Sequence, residues 1–145
     1  MSLNNLSKQI FNANVEKGFY EDYNDIKAVL SGVNSNLIPV FERFVTAQRL
    51  ALITSEVSEA LEANRKDNTF KMVPHDFKEN LINSEDVQFK EDFIFHVKDT
   101  QEDEIADVII RCLDFCGAND VDIDFHIKAK MRYNSLRPHK HGKKY

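Results

Sequence analysis

Apolar residues recur along most of this chain at intervals of three and four positions, which is the spacing of an amphipathic helix. The pattern predicts helices over about 3–17, 25–31, 40–65, 100–116 and 120–134. Residues 67–99 have a mixed pattern that predicts a loop with short helices near 76–82 and 85–96. Only 4 Gly and 3 Pro are present, too few turn residues for a β-sandwich or barrel. The sequence therefore predicts an all-α fold, a bundle of four to five helices.

Two of the predicted helices carry a continuous apolar face. In the helix over 40–65 this face consists of Leu50, Ile53, Val57, Ala60 and Leu61. In the helix over 100–116 it consists of Ile105, Val108, Ile109, Cys112 and Cys116. Since the chain is small and contains 11 Phe, we expect it to bury an exposed face by forming a homo-oligomer.

Length and composition favour one domain over 1–145. The chain has 145 residues, of which 42% are hydrophobic and 30% charged, and this is ordinary globular composition. No run of about 18 apolar residues predicts a membrane helix, and the N-terminus lacks the pattern of a secretory signal. Two cysteines are too few for a disulfide framework. We therefore expect a cytoplasmic protein that does not interact with membranes.

Charge is distributed unevenly along the chain. The net charge is −5, yet residues 126–145 contain seven Lys or Arg and no acidic residue. A cationic segment behind an acidic body can bind a polyanion such as a chain of phosphates. Its Lys and Arg side chains can donate to phosphate oxygens, and Tyr133 and Asn134 add an aromatic face and an amide that could contact a base or a sugar. A basic tail over about 135–145 is also common as a solvated chain end.

Two acidic pairs with the same residue order are the strongest chemical signal. Glu56 and Glu59 lie in one predicted helix, and Glu104 and Asp107 lie in another. Residues three apart are neighbours on a helix, with Cβ atoms about 5–6 Å apart, so each pair presents two carboxylates side by side. Arg111, one turn after Asp107, is expected to pair with it.

If these two helices pack together, four carboxylates converge and repel one another unless a cation neutralises them. Mg²⁺, with Mn²⁺ as a substitute, is the expected metal, because hard cations take oxygen ligands and can hold phosphates at the same time. The alternative is that both pairs are ordinary solvated helix faces.

Three segments in this order resemble the MazG-like nucleoside triphosphate pyrophosphohydrolases of the all-α NTP pyrophosphatase superfamily. They are EVSEALEANRK at 56–66, DEIADVIIRCLDF at 103–115 and AKMRYNSLRPHKHGKKY at 129–145. The first two match the family's ExxE and ExxD motifs, and the recognisable part spans about 40–145. The segment 67–99 is long compared with the shortest family members, which makes it a less certain insertion.

The resemblance implies Mg²⁺-dependent hydrolysis of a (deoxy)nucleoside triphosphate to the monophosphate and pyrophosphate. It implies a four- to five-helix bundle of the superfamily's type and assembly as a homodimer or homotetramer. The implied metal ligands are Glu56, Glu59, Glu104 and Asp107, and the implied nucleotide contacts are Lys130, Tyr133, Asn134 and Arg137. From the chemistry of such sites, a metal-activated water attacks the α-phosphorus, and we assign catalytic roles to Glu59, as general base, and Glu56.

Two other functions compete with this one. The first is a pyrophosphatase of the same superfamily with a preference for dUTP or dCTP. The second is a non-catalytic helical binding module that uses the basic tail on nucleic acid or a protein partner. With the acidic pairs present we do not expect nucleic acid to be the partner, and the enzyme is the leading hypothesis.

Overall fold

The computed structural model describes residues 2–69 and 75–138, and the regular secondary structure of these residues consists of helices without a strand. One short 3-10 helix, Ser35–Leu37, precedes the third α-helix. The α-helices are α1 (Leu3–Glu16), α2 (Glu21–Val33), α3 (Ile38–Arg65), α4 (His75–Asn83), α5 (Asp86–His96), α6 (Gln101–Ala118) and α7 (Ile123–Ser135). The prediction of an all-α fold is confirmed.

The described residues contain seven α-helices, more than the four to five of the predicted bundle. Both short segments inside 67–99 are true helices, α4 and α5, although their mixed patterns suggested mainly loop. Leu81 of α4 is buried, and the rings of Phe77 and His96 meet edge to face at 5.0 Å between α4 and α5. The short helices predicted near 76–82 and 85–96 are therefore present, and packing of α4 against α5 stabilises them.

Contacts within the chain group its residues into two compact units. The terminal unit consists of Met1–Val33 and Cys112–Tyr145, and the central unit consists of Asn34–Arg111. The expectation of a single domain over 1–145 remains a prediction, and the two units are described separately below.

In the terminal unit, the first turns of α1 and α7 cap each other. The Asp124 carboxylate accepts hydrogen bonds from the backbone N–H groups of Leu3 and Asn4, both at 3.2 Å. The Asn4 side chain donates to Asp122 at 2.8 Å and accepts from the Asp124 N–H. Because the first N–H groups of a helix lack partners within the helix, this exchange satisfies donors of both helices.

The last turn of α6 approaches α1 very closely at Gly117. A Cβ atom at this position would lie 2.5 Å from the carbonyl oxygen of Ser7 and 2.7 Å from Cβ of Phe11. Ser7 is only 2% exposed. Only a residue without a side chain fits here, because backbone atoms cannot move aside as a flexible side chain can.

We expect Gly117→Ala to lower the stability of the protein by about 1–3 kcal/mol, the usual penalty of an overpacked contact. The matched control is Gly32→Ala in α2, where a Cβ atom meets nothing within 4 Å. Alanine at that helical position is expected to raise stability by about 0.5–1 kcal/mol. Thermal unfolding of both variants measures the effects, and a Gly117→Ala variant as stable as wild type would contradict the close approach.

In the central unit, side chains cap the start of α6. The Asp103 N–H donates to Oγ1 of Thr100 at 3.3 Å, and the Asp99 N–H donates to the Asp103 carboxylate at 3.1 Å. A Thr followed three residues later by an acidic residue is a sequence pattern typical of a helix start. The cap fixes the first turn of the helix that carries Glu104.

The buried side of α3 is only one edge of the apolar face that the sequence predicts. Ala60 of that face is buried together with Glu56 and Ala63, whereas Val57 and Leu61 of the same face are about half exposed. At 100° per residue these two arcs lie roughly 120° apart around the helix. The central unit packs the side of α3 that carries a glutamate and two small residues, and it leaves much of the large apolar face open.

Candidate metal centre

The ExxE segment lies in the second half of α3. Glu56 is on the buried side of the helix, with only 5% of its surface exposed, and Glu59 follows one turn later as an exposed residue. Ala60 and Ala63 follow Glu56 along this side of the helix, about one and two turns later, and both are buried. Small side chains allow a neighbouring helix to approach, so a carboxylate is held in a packed region rather than on a solvated face.

The ExxD segment lies in the first turns of α6. Glu104 is 6% exposed, and Asp107, one turn later, is exposed. Each of the two motifs therefore contributes one buried and one exposed carboxylate.

Three of these carboxylates converge. Glu56, Glu59 and Glu104 each offer an oxygen atom that lies within 4.8 Å of the other two. Asp107, the fourth predicted ligand, does not belong to this group. Oxygen donors without nitrogen or sulfur are the ligand set preferred by hard cations such as Mg²⁺ and Mn²⁺, so the residues fit the expected metal.

The Glu104 carboxylate lacks a hydrogen-bond donor within the part of the chain that the structure describes. Burial raises the pKa of Glu104, and the negative charges of Glu59, Asp103 and Asp107 raise it further. A carboxylate of a largely buried residue that lies among other negative charges is costly to ionise, and a bound cation would offset that cost.

The pKa of Asp107 is also raised, first by partial desolvation of this exposed residue and then by Asp103 and Glu56, while Arg111 lowers it. Its ionisation is thus linked to the charge of the three converging glutamates. Asp107 belongs to the electrostatic environment of the cluster even though its oxygens lie outside it.

Arg111 makes the one ion pair found at these acids among the described residues. Its Nε donates to Oε1 of Glu56 at 2.5 Å, joining α6 to α3. The predicted partner of Arg111 was Asp107, and this prediction is wrong, because Arg111 pairs with Glu56. Residues four apart on one helix are close, but Glu56 is the buried acid and gains more from a fixed, charged donor.

A cavity of about 300 Å³ opens beside the cluster within the central unit. Glu59 and Glu104 line it together with Lys66, Asn68 and Asp99. The exposed member of the ExxE pair therefore lies at an accessible opening, whereas Glu56 does not line that cavity.

The four predicted nucleotide contacts lie at the end of α7, in the terminal unit. Lys130, Tyr133 and Asn134 are in the last turns of the helix, and Arg137 follows two residues after its end. Tyr133 is 59% exposed, with Nζ of Lys130 5.5 Å and Cζ of Arg137 6.0 Å from its ring centre. These side chains form one cationic surface around an aromatic ring.

Asn134 differs from its neighbours because its Oδ1 atom is buried and lacks a hydrogen-bond partner among the described residues. The remaining cations of the predicted basic tail, Lys140, Lys143 and Lys144, lie outside the described residues. The structure therefore groups the carboxylates in the central unit and the cationic residues in the terminal unit.

The sequence analysis missed one residue beside the cluster. Asn68 follows α3 and hydrogen-bonds the segment before α6, with its side-chain nitrogen 2.7 Å from the Asp99 carbonyl oxygen. The only local signal was an Asp-Asn pair after a helix, which is typical of a helix end and says nothing about a partner 31 residues away.

No protein-family model, curated protein or solved structure matches the chain. The resemblance to the MazG-like enzymes therefore remains a prediction from the three motifs. Of the helices that the structure describes, none combines the length and apolar character that crossing a membrane requires.

Proposed function

We propose that this protein is a Mg²⁺-dependent nucleoside triphosphate pyrophosphohydrolase. One observation carries the proposal: carboxylates from two separate helices converge within 4.8 Å, and one of them, Glu104, is buried without a hydrogen-bond donor among the described residues. Carboxylates on a solvated surface repel one another and lie apart. Carboxylates that ligate a cation lie close together and are partly removed from water.

Glu56, Glu59 and Glu104 would hold the metal, with Mn²⁺ as an alternative to Mg²⁺. When bound, such an ion supplies charge neutralisation for phosphate oxygens and lowers the pKa of water. Asp107 is proposed as a further ligand on the strength of the ExxD motif alone.

Individual side chains are proposed to orient the ligands, to accept a proton and to bind the substrate. Arg111 holds the Glu56 carboxylate in one orientation. Glu59 is exposed at the cavity, and no hydrogen bond from another described residue occupies its carboxylate, so we assign it the role of accepting the proton of the attacking water. Lys130 and Arg137 are proposed to bind the phosphates, and Tyr133 and Asn134 to contact the nucleoside.

A product assay tests the proposal. The purified protein is incubated with each common NTP and dNTP, with Mg²⁺ or with EDTA, and nucleoside monophosphates are separated from diphosphates. We expect monophosphate and pyrophosphate, lost in EDTA and in Glu56→Gln. Diphosphate with orthophosphate would contradict attack at the α-phosphorus, and an absence of turnover on every nucleotide would reject the activity. A strong preference for dUTP or dCTP would establish the narrower enzyme.

We expect Lys130→Met to raise KM for the nucleotide about tenfold or more, because the cation is lost from a phosphate contact. The matched control is Lys128→Met on the same helix, which removes another exposed cation outside the proposed contacts. Steady-state kinetics on both variants make the comparison. Equal effects of the two substitutions would indicate nonspecific attraction by the basic segment.

The cationic surface of α7 favours a second candidate function, a binding module for nucleic acid. An exposed tyrosine beside two cations is a common platform for stacking a base. Fluorescence anisotropy with a labelled single strand, measured across a salt series without nucleotide, tests it. Binding that weakens steeply with salt, together with an absence of hydrolysis, would favour this module over the enzyme.

We also propose that the protein forms a homodimer or homotetramer. Val57 and Leu61 of α3 and Ile105 and Ile109 of α6 are each about half exposed, and such apolar faces are usually covered. Light scattering after size-exclusion chromatography is expected to give a mass of at least twice the 16.8 kDa of one chain. A monomer at micromolar concentration would reject assembly.

A further inference from the structure

Asn68 joins the end of α3 to the start of α6 by three hydrogen bonds. Its N–H donates to the Ala63 carbonyl at 2.9 Å, which closes the end of α3. Its carbonyl oxygen accepts from the Gln101 N–H at 2.9 Å, and its side-chain Nδ2 donates to the Asp99 carbonyl at 2.7 Å. One residue therefore connects the two helices through backbone and side chain together.

This connection lies next to the converging carboxylates. Ala63 is one turn after Glu59 on α3, and Gln101 is one turn before Glu104 on α6. Asn68, Asp99, Glu59 and Glu104 all line the same cavity of about 300 Å³. A shift of α6 along α3 would have to break the Asn68 bonds before it could separate Glu59 from Glu104.

Two residues that are linked to Asn68 have an unfavourable backbone conformation with a positive φ. Asp67, which precedes Asn68, has a φ value of 54°. Asp99, whose carbonyl oxygen accepts the side-chain hydrogen bond of Asn68, has a φ value of 62°. This left-handed region is unfavourable for residues with a side chain and is kept where surrounding contacts over-determine it. At Asp99 one such contact is visible, because its N–H also donates to the Asp103 carboxylate.

The hydrogen bonds of Asn68 oppose the electrostatic repulsion between the carboxylates of α3 and α6. Without a cation, the like charges of Glu56, Glu59 and Glu104, whose oxygens lie within 4.8 Å of one another, push α3 and α6 apart. A short, neutral set of hydrogen bonds between the helices opposes this force and adds no charge to the cluster. It holds the ligands near their binding distance before the ion arrives, which lowers the cost of binding.

We propose that Asn68 is a positioning residue that presets the spacing between Glu59 and Glu104 and thereby sets the affinity for divalent cations. The proposal rests on the metal centre of the proposed function. It is independent of the reaction, because it concerns the metal-free protein.

The test is calorimetric titration of the full-length protein with Mn²⁺. Asn68→Ala removes the bond to Asp99 and keeps the backbone bonds, and we expect its Kd for Mn²⁺ to rise about tenfold or more, as is typical for residues that orient metal ligands. Asn68→Asp keeps the shape but cannot donate the hydrogen bond. An added acid alone would strengthen cation binding, so weaker binding by this variant isolates the lost donor.

The matched control is Asn64→Ala, one turn earlier and exposed on α3, with an expected Kd equal to wild type. Amide hydrogen exchange in EDTA supplies a second readout. We expect the Gln101 and Glu104 amides to exchange faster in Asn68→Ala, while amides in α5 stay as in wild type. Unchanged exchange across α6 would show that Asn68 does not hold the helix, and would overturn the proposal.

The outcomes separate this inference from the function it rests on. If wild type binds Mn²⁺ and Asn68→Ala binds it equally tightly, the positioning role is rejected and the metal centre stands. If wild type binds no Mn²⁺, the metal centre is rejected and the positioning role with it. Weaker binding in both Asn68 variants with normal binding in Asn64→Ala supports both.

Discussion

Replacing Glu59 by Gln is expected to lower the turnover of nucleoside triphosphates at least about 100-fold, the lower end of what a general base contributes. Glu59 is the exposed member of the three converging carboxylates and lines the adjoining cavity. Glutamine keeps the size of the side chain and removes both its charge and its ability to take a proton. Initial rates of pyrophosphate release at saturating nucleotide and Mg²⁺ measure the loss in kcat.

The matched control is Glu91→Gln, an exposed glutamate of α5 in the same unit and outside the converging group. It is expected to keep wild-type rates. Circular dichroism of both variants checks that the helices are intact. A Glu59→Gln variant with a wild-type rate would remove Glu59 from the catalytic set, and a rise in KM without a fall in kcat would assign it to substrate binding only.

The same assay on Asp107→Asn examines the fourth predicted ligand. The motif predicts at least a 100-fold loss, whereas the oxygens of Asp107 lie outside the group formed by the three glutamates. A loss of that size would place Asp107 in the working site through a rearrangement on metal binding. A loss smaller than about tenfold would limit the metal ligands to the three glutamates.

Helix positions could be predicted from this sequence where local signals are strong. The predicted 3–17 and 40–65 correspond to α1 (Leu3–Glu16) and α3 (Ile38–Arg65), because Pro39 suits a first turn and periodicity runs unbroken along both segments. The buried side of α3 was not predictable. Glu56 with Ala60 and the open face with Val57 are both continuous stripes, and only contacts with the rest of the unit decide which one packs.

The candidate site was likewise predictable only where it depends on local sequence. The spacing within each acidic pair was sufficient to predict neighbouring carboxylates, because it depends on helix geometry alone. Which acid of α6 faces α3 depends on the rotation of the helix, and residues three apart differ by about 60° around it. That rotation places Glu104 with the α3 glutamates, leaves Asp107 outside their group, and directs Arg111 to Glu56.

Replacing Glu104 by Gln is expected to raise the stability of the metal-free protein at pH 7, the opposite of the usual effect of changing a buried residue. Burial, and then the charge of Glu59, hold the pKa of Glu104 above its ordinary value of 4.5. Such a carboxyl binds its proton more tightly in the folded chain, so its stabilising contribution is present below the unfolded pKa and is lost as pH rises through the folded one. A neutral amide avoids that loss, and we expect a melting temperature in EDTA at pH 7 roughly 2–5 °C above wild type.

Metal should reverse this difference in stability, and acid should abolish it. Mg²⁺ at 100 times its Kd stabilises the wild-type fold by about 2.7 kcal/mol, whereas Glu104→Gln lacks a charged ligand and should gain little. Lowering the pH toward 4.5 in EDTA protonates Glu104 in the wild type, so the two melting temperatures should converge. Glu91→Gln should follow wild type in every buffer. A Glu104→Gln variant that is less stable than wild type in EDTA at pH 7 would mean that hydrogen-bond donors of the protein stabilise the ionised Glu104 carboxylate. That result would contradict the metal centre itself.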